Sequence, residues 1–186
     1  MKQLLNRSAS VNLALIASAL IALAEPSAEI DRRIVTIGGA ATEIVFALGA
    51  GSSIVATDLS SIYPPQAREL PMVGYVRNIS PEGVLSMEPD LVIATGALGP
   101  PNARQMLERL DIDIIWLPNL STPEELLSSI KTVSERLSRI EAAEALIEDV
   151  NRGLTQAAAN SSNWAQDAPT VLFLLEPPGK STSGMG

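Results

Sequence analysis

The sequence predicts an α/β fold built on a mostly parallel sheet. Three observations carry that expectation. Short, almost wholly apolar runs rich in β-branched residues recur along the chain, as in strands buried on both faces. Between them lie segments with apolar residues at helical spacing, so strand and helix alternate and right-handed crossovers follow. The 186 residues are 46% hydrophobic and 18% charged, the balance of a core-forming chain of about one domain.

Residues 34–37 (IVTI) read as the first strand, ending in Gly38-Gly39. Residues 40–48 follow as a helix, with Ile44, Val45 and Leu48 at helical spacing and Gly49 at its close. A second strand covers 53–57 (SIVAT) and stops at Asp58, and Tyr63-Pro64-Pro65 breaks the pattern. Residues 71–77 (PMVGYVR) read as a short extended segment. Ser80 then caps a short helix with Pro81 in its first position. Residues 90–95 (DLVIAT) form a third buried strand, 102–110 a helix, and 113–117 (DIIWL) a fourth strand.

Thr122, Pro123 and Glu125 make a capping box, and Leu126, Ile130, Val133 and Leu137 line one helix face behind it. Ser138 with Glu141 repeats the box, so a second helix is expected there. Its stripe of Ile140, Ala143, Ile147, Val150 and Leu154 carries it to about residue 159. Some 20 residues at ~1.5 Å each span roughly 30 Å, enough to brace two lobes. A polar linker at 160–167 leads to a last apolar strand at 170–175 (TVLFLL), with no helix after it before Gly186. That strand would be left uncovered, so trimming beyond residue 159 is expected to improve solubility.

The first residues read as a targeting signal. Lys2 and Arg7 precede the uncharged run 11–24 (VNLALIASALIALA), which ends in the small-x-small pattern Ala22-Leu23-Ala24. Fourteen residues fall short of the ~20 that a spanning helix needs. Residues 1–24 are therefore expected to be a cleaved signal peptide, and the mature chain an exported, soluble, periplasmic protein without a lipid anchor.

Composition removes several functions. Thirteen Lys and Arg against 21 Asp and Glu give a net charge of −8, which makes nucleic acid a poor partner. Without cysteine there is no thiolate metal site or thiol nucleophile; without histidine there is no Ser-His-Asp triad and no imidazole ligand to haem. Gly38-Gly39 invites a dinucleotide reading, but Ala40-Ala41-Thr42-Glu43 follows where a further glycine is required. Gly179-Lys180-Ser181 lacks the earlier glycine of a phosphate loop, since Leu174 stands there. Glu141, Glu144 and Glu148 read as a solvated helix face, and no nucleophile has a recognisable base.

One segment carries chemistry. Tyr75 and Arg77, two apart in an extended stretch, would project to one side. A phenolate is a hard oxygen ligand suited to ferric iron, and a neighbouring guanidinium favours the anion. Residues 74–95, GYVRNISPEGVLSMEPDLVIAT, resemble the GYxRxLxxEGxLxxxPxLVxAT region of the periplasmic haem-binding proteins of ABC-type haem importers. Residues 34–65, IVTIGGAATEIVFALGAGSSIVATDLSSIYPP, are similar to that family's opening strand and helix. The resemblance runs from about residue 34 to 175.

It implies two α/β lobes joined by one long helix, with the ligand in the cleft between them. Residues 25–121 would be the ligand-binding lobe, 122–160 the helical segment with the inter-lobe helix, and 161–186 the start of a second lobe that is mostly absent. Tyr75 would be the axial ligand of ferric haem b, the transported cargo, with Arg77 close by. Gly39, Thr42, Thr95 and Gly96 would contact the ligand, and Glu82 would dock on arginines of the inner-membrane ABC permease. The implied role is a carrier and not an enzyme. A ferric-siderophore or cobalamin carrier is the first alternative, since the wider superfamily shares the opening and the PDLV strand. An exported α/β enzyme is the second.

Overall fold

The structure, a computed structural model, describes residues 32–161; the expected signal peptide and the expected strand at 170–175 lie outside the described residues. In chain order the elements are β1 (Ile34–Ile37), α1 (Gly39–Ala47), β2 (Ile54–Ala56), β3 (Gly74–Tyr75), β4 (Asn78–Ile79), α2 (Pro81–Leu85), β5 (Leu91–Thr95), α3 (Pro101–Glu108), β6 (Asp113–Leu117), α4 (Pro123–Leu137) and α5 (Ile140–Ser161). Two 3-10 turns, Gly51–Ser53 and Pro65–Glu69, complete them.

Strands β2, β1, β5 and β6 pair in that order as one parallel sheet. Every residue of β1 and β5 is buried, which explains why both read as unbroken apolar runs. Alternation sends Val35 and Ile37 to one face, where they join Ala56, Val92 and Ala94 in a core closed by Val73, Val76, Ile79, Val84 and Leu107. Those covering residues come from the β3–β4 hairpin and its approach, from α2 and from α3. On the other side α1 packs on β1, β5 and α4, burying Ala41, Ile44 and Val45, while α4 buries Ile130, Val133 and Leu137.

Three local expectations are corrected. Residues 71–77 are not one extended run: β3 and β4 pair antiparallel, Gly74 with Ile79 and Tyr75 with Asn78, with the turn at Val76-Arg77. Ser138 is not an N-cap. It closes α4 in the left-handed conformation (φ 55°), while the Arg139 carbonyl accepts from Ala143 N and opens α5. Residues 160 and 161, expected in a linker, are still helical.

The chain divides into two units, Met1–Ile147 and Glu148–Gly186, a division that falls within the expected helical segment 122–160. The first holds the sheet. The described part of the second is the remainder of α5, exposed from residue 151 onward. Among the described residues no helix is long and apolar enough to cross a membrane.

Candidate functional site

Strand β1 is flanked by β2 on one side and β5 on the other, so the chain order reverses about it. In open parallel sheets, ligands sit beyond the carboxyl ends of the strands at such a reversal. Here those ends are Gly38-Gly39 after β1, Thr57 to Ser61 after β2, Thr95-Gly96 after β5 and Asn119 beyond β6. Gly38 has φ +99°, and a Cβ there would collide with the Thr95 side chain, so β1 and β5 close on each other as only glycine permits.

The β3–β4 hairpin stands at this edge. Gly74 has φ +121°, and a Cβ on it would lie 2.8 Å from the Asn78 carbonyl oxygen, so the hairpin needs glycine where Tyr75 begins. Its backbone is held on two sides. Leu59 N donates to the Gly74 carbonyl at 2.8 Å, and Val76 N donates to Asp58 Oδ2 at 3.0 Å. On the far side Gly99 N donates to the Val76 carbonyl at 2.8 Å, and Ile79 N donates to the Gly99 carbonyl at 2.9 Å. Val76 is buried in the core between the exposed Tyr75 and Arg77.

Tyr75 is 36% exposed, on a backbone tied down on both sides. Arg77 is exposed at the hairpin turn. Gly39, Thr95 and Gly96 lie at the strand ends that meet at the reversal; Gly96 is exposed and faces the Asn119 side chain, whereas Thr95 is buried. Thr42 stands apart from these. It is fully buried, and its hydroxyl is shared with Thr36 and Ser61 at 2.7 Å each, so it braces the loops from within and offers no surface. Glu82 is exposed in the first turn of α2, capped as expected: Gly83 N donates to Ser80 Oγ at 3.0 Å.

Sequence reasoning missed two features. Asp58 read as the end of a strand and as part of the rejected dinucleotide reading, yet it is fully buried and accepts hydrogen bonds from Gly38 N, Ser60 N, Ser60 Oγ, Ser61 Oγ and Val76 N. The signal available was an aspartate followed two residues later by paired serines at a strand end, a pattern of local side-chain-to-backbone bonding. The second is an apolar rim on the loops around the hairpin: Leu59, Ile62, Tyr63 and Met72 are all more than half exposed (57%, 58%, 63% and 51%). Leu59 is tied to the hairpin through the Gly74 carbonyl, and Met72 bridges to Thr57 beside it.

The comparisons with known proteins bear on this site. The family model for periplasmic binding proteins matches residues 34–186. The vitamin B12-binding protein of Vibrio cholerae serotype O1 is 34% identical over 132 residues, covering 69% of this chain and 48% of that protein. A periplasmic heme binding protein from Pseudomonas aeruginosa superposes with a TM-score of 0.68 at 34% identity, over 74% of this chain and 49% of its own. The periplasmic vitamin B12 binding protein BtuF of Vibrio cholerae gives 0.63 at 30%, over 70% and 51%. This chain spans about half the length of the curated relatives it matches. With an α/β parallel sheet of matching topology and a family match over most of its length, the chain belongs to the periplasmic binding proteins.

Proposed function

We propose that this chain captures ferric haem in the periplasm and delivers it to an inner-membrane ABC permease, with the Tyr75 phenolate as axial ligand of the iron. The observation that carries the reading is a partly exposed tyrosine on a hairpin whose backbone is fixed on both sides, at the strand ends where this fold class binds ligands. A free tyrosine phenol titrates near ~10, so ligation at neutral pH requires a cation to displace the proton. Iron(III) does this, the phenol proton passing to solvent as the Fe–O bond forms, and Arg77, exposed at the hairpin turn, offers its guanidinium to a haem propionate. Leu59, Ile62, Tyr63 and Met72 supply apolar surface for the faces of a porphyrin.

Gly39, Thr95 and Gly96 border the same ligand, with Thr42 supporting them from behind. Glu82 docks on the permease. In a chain long enough to transport, Glu82→Ala is expected to leave hemin binding intact and to abolish uptake by cells; unchanged uptake counts against docking.

A second reading has its own support, because relatives of 30% and 34% identity are named vitamin B12-binding proteins. A corrin is also a planar metal macrocycle, and a cobalamin carrier would use the same edge. Parallel titrations with hemin and cyanocobalamin decide between them. Haem capture predicts a ferric-tyrosinate spectrum with hemin that Tyr75→Phe removes; saturable cobalamin binding with no hemin spectrum selects the second reading.

A further inference from the structure

We propose that Asp58 is a positioning residue whose buried carboxylate fixes the hairpin that presents Tyr75, an inference that rests on the reading of Tyr75 as the ligand-binding phenol. Backbone N–H groups from three segments converge on it: Gly38 on Oδ1 at 2.7 Å, Ser60 on Oδ2 at 2.9 Å and Val76 on Oδ2 at 3.0 Å. Hydroxyls of Ser60 and Ser61 add bonds of 2.6 and 2.8 Å. A backbone N–H can only donate, so both side-chain oxygens at position 58 must accept. A carboxylate does this and an amide, with one acceptor oxygen, does not.

The hydroxyls behind it have a fixed direction. Ser61 gives its one hydrogen to Asp58, so it accepts from Thr42, which in turn accepts from Thr36. This chain ties β1 and α1 to Oδ1, and Val76 N ties the hairpin to Oδ2 of the same carboxylate. Tyr75 lies between two fixed points, the Gly74 carbonyl held by Leu59 N and the Val76 N–H held by Asp58. Its backbone is therefore ordered by folding rather than by ligand, which lowers the entropy lost on binding.

The test combines amide exchange in the ligand-free full chain with hemin titration, for the parent, Asp58→Asn and Tyr75→Phe. Asparagine keeps the volume and must leave at least one of the three backbone donors unpaired. We expect the Val76 or Gly38 amide to exchange at least about tenfold faster, with the β5 amides unchanged. Hemin should bind about tenfold more weakly while keeping the tyrosinate bands, because the ligand itself is intact. Parent-like exchange and affinity in Asp58→Asn overturn the proposal, and so does an equal loss of protection in β5, which marks a role in the whole fold. If Tyr75→Phe binds like the parent while Asp58→Asn still frees Val76, the ligand reading fails and the hub stands. Should Asp58→Asn not fold, the parent alone is decisive. Its Val76 amide must be protected to within about tenfold of Ile93, and exchange at the rate of an open turn overturns the proposal.

Discussion

At the scale of single residues, the site depends on where side chains are missing as much as on where they stand. Gly74 turns the chain so that Tyr75 can face outward while Val76 enters the core. Gly74→Ala would force a side chain into a positive-φ conformation against the Asn78 carbonyl. It is expected to lower stability by about 1–3 kcal/mol in denaturant unfolding and to weaken hemin binding with it. Tyr75 drew attention in the sequence by its chemistry beside Arg77, but a tyrosine near an arginine is common, and it was the resemblance that gave it weight. Asp58 was legible only in part. The serines at 60 and 61 are local, but Gly38 and Val76 lie 20 and 18 residues away, so no local pattern assembles the whole set.

Helices and strands were more legible, because their signals are local. Thr122 caps α4 as expected, accepting from Glu125 N at 3.2 Å, while the Glu125 carboxylate reaches back one residue further, to Ser121 N at 2.6 Å. Thr122→Ala is expected to cost about 1 kcal/mol of stability, read as a shifted denaturation midpoint. The same motif at Ser138 misled, because α4 runs on to Leu137 and its last turn needs a left-handed residue where the box would have begun. Beside it, Arg136 clasps Asp113 of β6 through both carboxylate oxygens. That bond raises the guanidinium above its ordinary pKa, so on the arginine side its contribution is present below that range and is lost as pH rises through it. In the sheet, Ile93 is fully buried on the strand between β1 and β6, and Ile93→Ala should cost about 2–5 kcal/mol.

At the scale of the molecule, the parallel sheet was legible because strands covered on both faces must be apolar throughout, which leaves a plain mark in a sequence. The hairpin was not, since two-residue strands are too short to show alternation, and their pairing is set by contacts to Asp58, Leu59 and Gly99. The proposed site is thus made by the ends of the sheet's strands and by the loops fastened to them, with Tyr75 and Tyr63 both exposed there. The most direct test of that account is a titration of hemin into the parent and into Tyr75→Phe, following the Soret and charge-transfer bands. The account predicts a high-spin ferric-tyrosinate spectrum in the parent and its loss in the variant; hemin bound by Tyr75→Phe with the parent's spectrum and affinity would contradict it.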